Sequence, residues 1–330
     1  MMAAIVAAPF LPKTDIVIST SPQFFNGLAG YVVSRMKRAP WVLEIRDLWP
    51  ESILAVGAIK NPLIIELLEW LELFAYRQAD RIVPVTDAFQ RHIEGKGIAG
   101  EKITVIKNGA DLTLYKPVAG KNLLAESLGV QGKFVAAYLG THGMAHQLET
   151  VLYAAKRLRE HPDIVLILAG DGAERQRLAE LREKLGVNNV LMLDQQPKEQ
   201  MPWLWGLADV SLILLKKSDL FKTVIPSKIF ESMAMEKPII LGVEGESAEL
   251  LRAAGAGFCI EPENDRELAA RLIELYADKV LCQKFGRNGR THVQNYYDRV
   301  KLAKRFRDLL EATYCDKYGQ VPSPPIDTRR

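Results

Sequence analysis

The sequence predicts an α/β protein with two doubly wound domains, each built on a parallel sheet. Its 330 residues suffice for two domains of ordinary size. Short apolar runs alternate with segments of helical periodicity along most of the chain, which is typical of strand–helix–strand units. Apolar residues make up 48% of the chain and charged residues 25%, a composition that supports packed globular cores.

The first domain is predicted over residues 1–116 and is the smaller and incomplete one. Four apolar runs predict its strands, at residues 15–19, 41–45, 81–85 and 103–106. A long helix is predicted at 62–79, where apolar residues recur at helical spacing at Leu63, Ile64, Leu67, Leu68, Leu71 and Phe74. We interpret this stripe as core rather than as a membrane anchor.

The second domain is predicted over residues 117–297, after a turn at 108–111 and a linker-like stretch at 116–122. Six runs predict its strands, at residues 134–139, 164–169, 189–193, 210–215, 238–243 and 257–260. Helical patterns fill the intervals, so the domain is expected to be a complete doubly wound sheet. A long helix at 298–313 follows, and residues 314–330 have the composition of a disordered tail.

Charge and cysteine content exclude several classes of protein. A net charge of +3 argues against a nucleic-acid protein with a dominant basic face. Cys259, Cys282 and Cys315 are far apart and lack metal-ligand spacing, as expected for a reduced cytoplasmic protein. No apolar run reaches the roughly 20 residues of a membrane span, and the first residues do not have the pattern of a signal peptide.

Ligands of such sheets bind outside the carboxyl ends of the strands, where three loops of the second domain fall. Their sequences are GTHGMAHQLET at 140–150, LAGDGAE at 168–174 and VIPSKIFESMA at 224–234. The first is a strand-to-helix loop of the kind that often holds phosphate, yet no lysine or arginine lies between Gly140 and Gln147. In the second loop, a tight turn accounts for Gly170 and Gly172 in any case.

The third loop carries charged residues. Pro226 and Ser227 suit the start of a helix, with Ser227 near the N-cap. Lys228 adds a full positive charge beside the free N–H groups of a helix start. Glu231, one turn further on, is able to accept two hydrogen bonds from a ribose diol. An acid favoured by the helix dipole explains Glu231 equally well.

Together these segments resemble family 4 of the retaining glycosyltransferases. The resemblance rests on GTHGMAH, LAGDGAE, ADVSLIL at 208–214 and PSKIFESMAMEKPII at 226–240, and on ADRIVPVT at 79–86 followed by NGAD. The stretch RDLWP at 46–50 resembles the branch that builds bacterial O-antigen, colanic acid and capsule polysaccharides. The resemblance covers about residues 14–312. Its motifs are specific when taken together, although each motif alone is not.

The resemblance implies the GT-B fold, in which two Rossmann-like domains face a cleft. The C-terminal domain would bind a nucleotide-diphosphate sugar and the N-terminal domain the acceptor, and helix 298–313 would cross back to the first domain. It implies transfer of a hexose or deoxyhexose with retention, without a metal ion or cofactor. The leaving phosphate would take the acceptor proton.

In this branch of the family the acceptor is often a polyprenyl-diphosphate-linked saccharide at the inner membrane face. Peripheral attachment through Arg35, Lys37 and Arg38 fits that location, and a solvated helix end also explains these residues.

Carried over by motif, Glu231 matches the second glutamate of the family's Glu-x7-Glu pattern and would hold the ribose. Thr223 stands at the first glutamate, so that pattern is broken here. The family's Gly-Arg…Lys loop falls on Gly140, Thr141 and His146, so both usual phosphate cations are missing. This branch commonly lacks them.

We therefore expect backbone N–H groups from Gly140 to Gly143 to hold the diphosphate, with charge from Lys228 and a hydrogen bond from His142 or His146. The predicted donor site comprises Gly140, Thr141, Gly143, His146, Gly170, Gly172, Pro226, Ser227, Lys228 and Glu231. The predicted catalytic residues are Asp47, Lys228 and Glu231. Two interpretations of Asp47 and its neighbour Arg46 remain. They contact the acceptor or the donor sugar, or they form a structural salt bridge or cap near Trp49.

The first domain lacks the strand and glycine-rich loop that open the family's N-terminal domain, so we expect an N-terminally truncated form whose activity is open. Two other functions remain as alternatives. One is a non-catalytic nucleotide-sugar-binding remnant. The other is a sugar-nucleotide epimerase, which shares the fold but would need a set of acid–base carboxylates that the sequence does not suggest.

Overall fold

The computed structural model describes residues 2–22, 24–55, 59, 61–117 and 123–319. The chain forms two compact units, one of Met1–Lys107 with Val300–Arg330 and one of Asn108–Arg299. The second unit therefore begins at the NGAD turn, where Ala110 donates its N–H to the carbonyl of Tyr297 (3.0 Å). The sequence places this boundary at 116/117, in a stretch whose residues 118–122 lie outside the described residues.

The first unit contains a parallel sheet of three strands, Val17–Thr20 (β1), Trp41–Ile45 (β2) and Arg81–Pro84 (β3), in the order β1-β2-β3. The predicted fourth strand at 103–106 is wrong. Within the described residues this segment makes one isolated bridge, between Ile82 and Ile103, and donates from Ile106 N–H to Pro84 O (3.1 Å). Pro84 has no N–H to donate back, so the ladder does not develop.

Within the described residues, the N-terminal part of this unit contains five α-helices: Met2–Ala7 (α1), Phe24–Lys37 (α2), Glu51–Ala55 (α3), Pro62–Gln78 (α4) and Asp87–Gly95 (α5). The predicted long helix is α4, and it starts where the Asn61 side chain accepts a hydrogen bond from Leu63 N–H (3.0 Å). Its buried residues are Leu68, Glu72, Ala75 and Tyr76.

The interpretation of the α4 stripe as core is wrong for the first three of its six positions, whereas Leu68 is buried and Leu71 and Phe74 are half-buried. The exposed fractions are 73% for Leu63, 46% for Ile64, 55% for Leu67 and 60% for Trp70. The face of α4 that packs inward includes the carboxylate of Glu72 among its buried residues. Helix α4 therefore presents an apolar surface to solvent, on the side opposite its buried face.

The second unit contains a parallel sheet of six strands in the order β6-β5-β4-β7-β8-β9. The strands are Phe134–Leu139 (β4), Ile164–Ala169 (β5), Val190–Leu193 (β6), Val210–Leu214 (β7), Ile239–Gly242 (β8) and Gly257–Cys259 (β9). Each corresponds to a predicted strand. The order runs outward in both directions from β4, so the topological switch point lies between β4 and β7.

Eight helices pack around this sheet: Leu123–Ser127 (α6), Glu149–Arg157 (α7), Arg175–Leu185 (α8), Met201–Leu207 (α9), Lys228–Ala234 (α10), Glu246–Ala254 (α11), Asp265–Ala277 (α12) and Lys279–Tyr296 (α13). Strand β4 contributes to a core on each face of the sheet. Val135, Ala137 and Leu139 belong to one buried cluster, and Ala136 and Tyr138 to the other. Strand β4 is therefore covered on both faces, as expected for a central parallel strand.

The last described helix, Arg299–Tyr318 (α14), returns to the first unit. Its Leu302 packs in one buried cluster with Val42, Val83 and Ile106. The helix continues past the predicted end at residue 313, so the first part of the predicted disordered tail is helical. Residues 320–330 of that tail lie outside the described residues. Among the described residues, no helix combines the length and apolarity needed to cross a membrane.

Candidate functional site

The candidate site lies in the second unit, at the carboxyl ends of β4, β5 and β7. The loops that follow these strands hold the glycines, histidines and charged residues singled out above. Because the switch point separates β4 from β7, the loop after β4 and the loop before α10 leave a crevice between them. The site can therefore be described from this unit alone.

The loops after β4 and β5 are packed backbone against backbone. Gly140 N–H donates to Ala169 O (2.8 Å), His142 N–H to Asp171 O (2.8 Å) and Glu174 N–H to His142 O (2.9 Å). At Gly170 (φ +148°), a Cβ atom would overlap the carbonyl oxygen of Gly140. Glycine is thus needed at Gly170 for close approach between two loops as well as for its backbone conformation.

We expect Gly170→Ala to lower the free energy of unfolding of the second unit by about 3 kcal/mol, because both backbone strain and overlap must be relieved. Gly132→Ala is the matched control. Gly132 also has positive φ (+75°), but nothing lies within 4 Å of its added Cβ, so its cost should be about 1 kcal/mol. Urea unfolding followed by circular dichroism measures both, and equal losses would contradict the close approach.

Two of the amides expected to bind diphosphate are already used. The N–H groups of Gly140 and His142 donate to the carbonyls of Ala169 and Asp171, so of the predicted stretch from Gly140 to Gly143 these two amides are not available to a diphosphate. The N–H groups of Thr141 and Gly143 have no partner in the described part of the chain. The loop therefore offers two amides, and a cation must come from elsewhere.

Lys228 places its amino group at the first loop. Its Nζ donates to the Tyr138 hydroxyl (2.6 Å) and lies 3.8 Å from the centroid of the Tyr138 ring. Its side chain crosses Gly140 so closely that a Cβ there would overlap Lys228 Cε. Burial lowers the pKa of Lys228 to about 7, and the charge of Glu231 opposes this shift only partly.

The two histidines of the loop are neutral near pH 7. His142 is completely buried, and both of its ring nitrogens lack a hydrogen-bond partner, as does Nδ1 of His146. Burial and the neighbouring cations lower the pKa of each histidine to about 4. At neutral pH they therefore add no positive charge to the loop.

Glu231 sits in the first turn of α10, half-buried beside Tyr115. Burial raises the pKa of Glu231, while a hydrogen bond with the Tyr115 side chain and the charges of Arg299 and Lys228 oppose the rise. Tyr115, which is 2% exposed, was not identified from the sequence, because it stands in a polar stretch without periodicity. Its carbonyl is fixed by the Arg290 guanidinium (2.9 Å).

The remaining predicted residues of the third loop have local roles. Ser227 precedes α10 as predicted, but its side chain makes no capping hydrogen bond, because its backbone is already helical (φ −58°, ψ −26°). Pro226 accepts a hydrogen bond at its carbonyl from Ile229 N–H (3.0 Å). Thr223, at the position of the missing glutamate, donates its hydroxyl to Leu220 O (2.6 Å).

A cavity of ≈ 180 Å³ opens between the first two loops and the loop after β6. Its lining combines loop backbone with amide and apolar side chains: Gly140, Thr141, Ala169, Gly170, Asp171, Gln195, Gln196, Met201 and Leu204. Of these, Gln195, Gln196, Met201 and Leu204 could not be predicted from the sequence. A planar, partly apolar group with hydrogen-bonding edges fits such a lining.

Asp47 and Arg46 belong to the first unit. The Ser21 hydroxyl accepts hydrogen bonds from the N–H groups of Arg46 (2.9 Å) and Asp47 (3.2 Å), which fixes the turn after β2. Burial raises the pKa of Asp47, and the neighbouring Ser52 side chain and Leu48 backbone oppose the rise. Arg46 pairs with Glu44 (3.6 Å). A catalytic role for Asp47 remains a prediction.

One group of side chains in the first unit has the composition of a metal site. Ligand atoms of Glu51, Glu72 and His92 lie within 4.8 Å of one another. Lys96 Nζ, however, bonds to both carboxylates, 2.8 Å from Glu51. Burial raises the pKa of Glu51, but His92 and Lys96 outweigh it and bring that pKa to about 2. The cluster is therefore an ion-pair network in which Lys96 holds the place of a cation.

Comparison with known families agrees with this geometry. The profile of the family "Glycosyl transferases group 1" matches residues 121–292, which contain all three loops, and that of the "Glycosyl transferase 4-like domain" matches residues 4–109. The structure of Anabaena Alr3699/HepE in complex with UDP-glucose superimposes with a TM-score of 0.78 at 21% identity, covering 94% of this chain and 81% of that one. With the two parallel sheets, this likeness confirms the predicted α/β GT-B fold.

Curated relatives are similar over most of the chain. The putative colanic acid biosynthesis glycosyl transferase WcaI of Escherichia coli K12 is 23% identical over 303 residues, 89% of this chain and 73% of the relative. The UDP-Gal:alpha-D-GlcNAc-diphosphoundecaprenol alpha-1,3-galactosyltransferase of Escherichia coli is 28% identical over 317 residues, 90% of this chain and 75% of the relative. With more than half of its residues matched by one family profile, the chain belongs to the group 1 glycosyl transferases.

Proposed function

We propose that the protein transfers a sugar, with retention, from a nucleotide-diphosphate sugar to a glycan or lipid-linked saccharide in cell-surface polysaccharide biosynthesis. The observation that carries the proposal is the convergence of Lys228 with two unpartnered loop amides beside Glu231, in a unit that belongs to a glycosyltransferase family. This arrangement offers a cation and N–H donors to a diphosphate and a carboxylate to a ribose.

The chemistry assigned to these residues is binding and charge stabilisation. The bond between the anomeric carbon and the diphosphate breaks, and negative charge grows on the departing phosphate oxygen, where Lys228 and the amides of Thr141 and Gly143 stabilise it. The acceptor hydroxyl forms the new bond on the same face, and its proton passes to the departing phosphate. Glu231 holds the nucleotide by its ribose. This scheme uses no metal ion, and transfer should persist in EDTA.

The relatives guide the choice of substrates. The Escherichia coli galactosyltransferase is named for a UDP-galactose donor and an acceptor linked to diphosphoundecaprenol. The Anabaena protein binds UDP-glucose. We therefore propose a uridine diphosphate sugar as donor and a polyprenyl-diphosphate-linked saccharide as acceptor.

A ligand screen followed by a transfer assay tests the function. UDP, GDP, dTDP and ADP sugars are compared by thermal shift, since a bound ligand stabilises the folded protein by an amount that grows with the logarithm of its concentration over Kd. Mass spectrometry then follows sugar transfer to a diphosphoundecaprenol-linked N-acetylglucosamine. Binding without transfer would support the non-catalytic alternative, and a changed donor sugar without acceptor would support the epimerase. Binding of no sugar nucleotide would refute all three.

Donor binding is expected to weaken above neutral pH. In the free protein Lys228 has a pKa of about 7, and an adjacent diphosphate would raise it, so binding above pH 7 requires proton uptake. The Kd of a UDP-sugar should be flat below pH 7 and rise about tenfold per pH unit above it. His142 and His146, with pKa values of about 4, do not titrate in this range. Calorimetry in buffers of different ionisation enthalpy measures the uptake, and a flat Kd from pH 7 to 9 would contradict the assignment.

We also propose peripheral attachment to a membrane surface through the first unit. Arg35 and Arg38 are exposed as this role requires, whereas Lys37 donates to the carbonyl of Leu11 (2.6 Å) and is engaged internally. The exposed stripe of α4 adds the apolar component that a basic patch alone lacks. Tyr31 on α2 joins the two, because its ring contacts both Arg35 (5.1 Å) and Phe74 of α4 (5.0 Å).

Vesicle co-sedimentation tests this attachment. Replacing Leu67 and Trp70 together by serine should abolish binding to vesicles containing anionic lipid without changing donor affinity. The matched control replaces Val280 and Tyr296, which are exposed on α13 of the second unit (73% and 63%), by serine. Equal binding by the two double variants, or indifference of the parent protein to anionic lipid, would contradict the proposal.

A further inference from the structure

The hydroxyl of Tyr138 joins two of the loops that form the donor site. It donates to the carbonyl of Thr141 in the loop after β4 (2.7 Å) and accepts from Lys228 Nζ at the start of α10 (2.6 Å). A tyrosine hydroxyl has one proton to donate and lone pairs to accept, so both bonds form together. One oxygen atom therefore sets the position of the loop relative to the ammonium group.

Tyr138 is held firmly enough to serve as a reference point. It is completely buried in the core on one face of the sheet, and it occupies the penultimate position of β4, the strand at the switch point. Burial raises the pKa of its hydroxyl well above the usual range, so the donor proton is present at any physiological pH. The position of the hydroxyl is therefore set by the packing of β4 in the core.

The neighbourhood of this hydroxyl points to a ligand. Lys228 has three N–H bonds, and one of them is used by Tyr138. The rings of His142 and His146 lie 6.1 and 5.9 Å from the Tyr138 ring, and three of their nitrogens lack a partner although the rings are buried or half-buried. Unpartnered buried polar groups are rare in folded proteins and cost stability, which is expected where a site is arranged for a polar ligand.

We propose that Tyr138 is a positioning residue for donor binding, whose hydroxyl holds Lys228 and the Thr141 peptide in the one arrangement that lets the ammonium group and the loop amides meet the diphosphate together. This inference rests on the proposed function of the site. The inference explains how the loop after β4 binds a diphosphate without a cation of its own. The cation is Lys228, from the loop before α10, and the buried side chain of Tyr138 on β4 holds it in position.

The test is a double-mutant cycle on nucleotide affinity. Tyr138→Phe keeps the ring and its contact with the ammonium group but removes both hydrogen bonds. We expect it to raise the Kd for UDP about tenfold, with uridine affinity unchanged, because uridine lacks the diphosphate. In the Lys228→Met background the same substitution should cost less than threefold, since the group that it positions is gone. Tyr153→Phe, on α7 of the same unit and 43% exposed, is the control.

Three results would overturn the inference: full UDP affinity in Tyr138→Phe, equal losses for UDP and uridine, or a tenfold loss that persists without Lys228. The second of these marks general damage to the fold, which the melting temperature would also show. A pH profile gives a separate readout, since the rise in Kd above pH 7 should begin at a different pH once Lys228 loses its hydroxyl partner. If the parent protein binds UDP, failure here leaves the proposed function intact; if it binds no nucleotide, both fall.

Discussion

Glu231→Ala is expected to raise the Kd for a UDP-sugar by roughly 150-fold, because a half-buried carboxylate that accepts two ribose hydrogen bonds contributes about 3 kcal/mol. Glu231→Gln should recover part of this affinity, since the amide keeps one acceptor. Isothermal titration calorimetry measures all three proteins. The loss should be smaller for a 2′-deoxyribose nucleotide, which lacks one of the two hydroxyls and so already misses one hydrogen bond to Glu231.

The matched control is Glu180→Gln, an exposed glutamate on α8 that accepts a hydrogen bond from Gln176 one turn away (3.1 Å). It should bind donor as the parent does. If Glu231→Ala also bound donor normally, Glu231 would be only an acid favoured by the first turn of α10, the alternative that the sequence leaves open. The Tyr115 contact would then be structural.

Lys228→Met is expected to raise the Kd for UDP by about 100-fold and to leave uridine almost unchanged. The substitution keeps the length and apolar stem of the side chain but removes the charge, and a charged hydrogen bond to phosphate contributes about 2–3 kcal/mol. The rise in Kd with pH above 7 should disappear in this variant, because the titrating group is gone. Comparing UDP with uridine at pH 6.5 and 8.5 measures both effects.

Lys237→Met provides the control for Lys228→Met, since this lysine follows α10 in the same unit and lies outside the predicted donor site. It should leave UDP affinity and its pH dependence unchanged. If Lys228→Met lost UDP and uridine equally, the side chain would be acting on the fold, through Gly140 and Tyr138, rather than on the diphosphate.

Periodicity was sufficient to predict the second unit. All six strands and the order of the loops could be predicted from the sequence because parallel strands covered on both faces appear as continuous apolar runs. The first unit was harder. The run at 103–106 has the composition of a strand, but pairing depends on the neighbouring strand, and Pro84 removes a donor there. Helical spacing identified α4 but does not tell which face packs, so its exposed leucines were assigned to the core.

The candidate site was predictable in its outline and not in its connections. Motif resemblance identified Lys228, Glu231 and the glycines. The amides of Gly140 and His142 donate hydrogen bonds within the fold because the two loops pack together. Residue types alone do not predict such packing. Tyr138 was read as one more apolar position in a buried strand, although its hydroxyl links two loops. Tyr115 could not be predicted because it stands in a polar stretch without periodicity, far along the chain from Glu231, the residue that it contacts.

The most direct measurement is a crystal structure of the protein soaked with a UDP-sugar. The expected density places the diphosphate against Lys228 Nζ and the amides of Thr141 and Gly143, with the ribose at Glu231 and the base in the cavity beside Gln196. A nucleotide bound elsewhere on the molecule, or bound here with Lys228 Nζ beyond hydrogen-bond distance of its phosphates, would contradict the account.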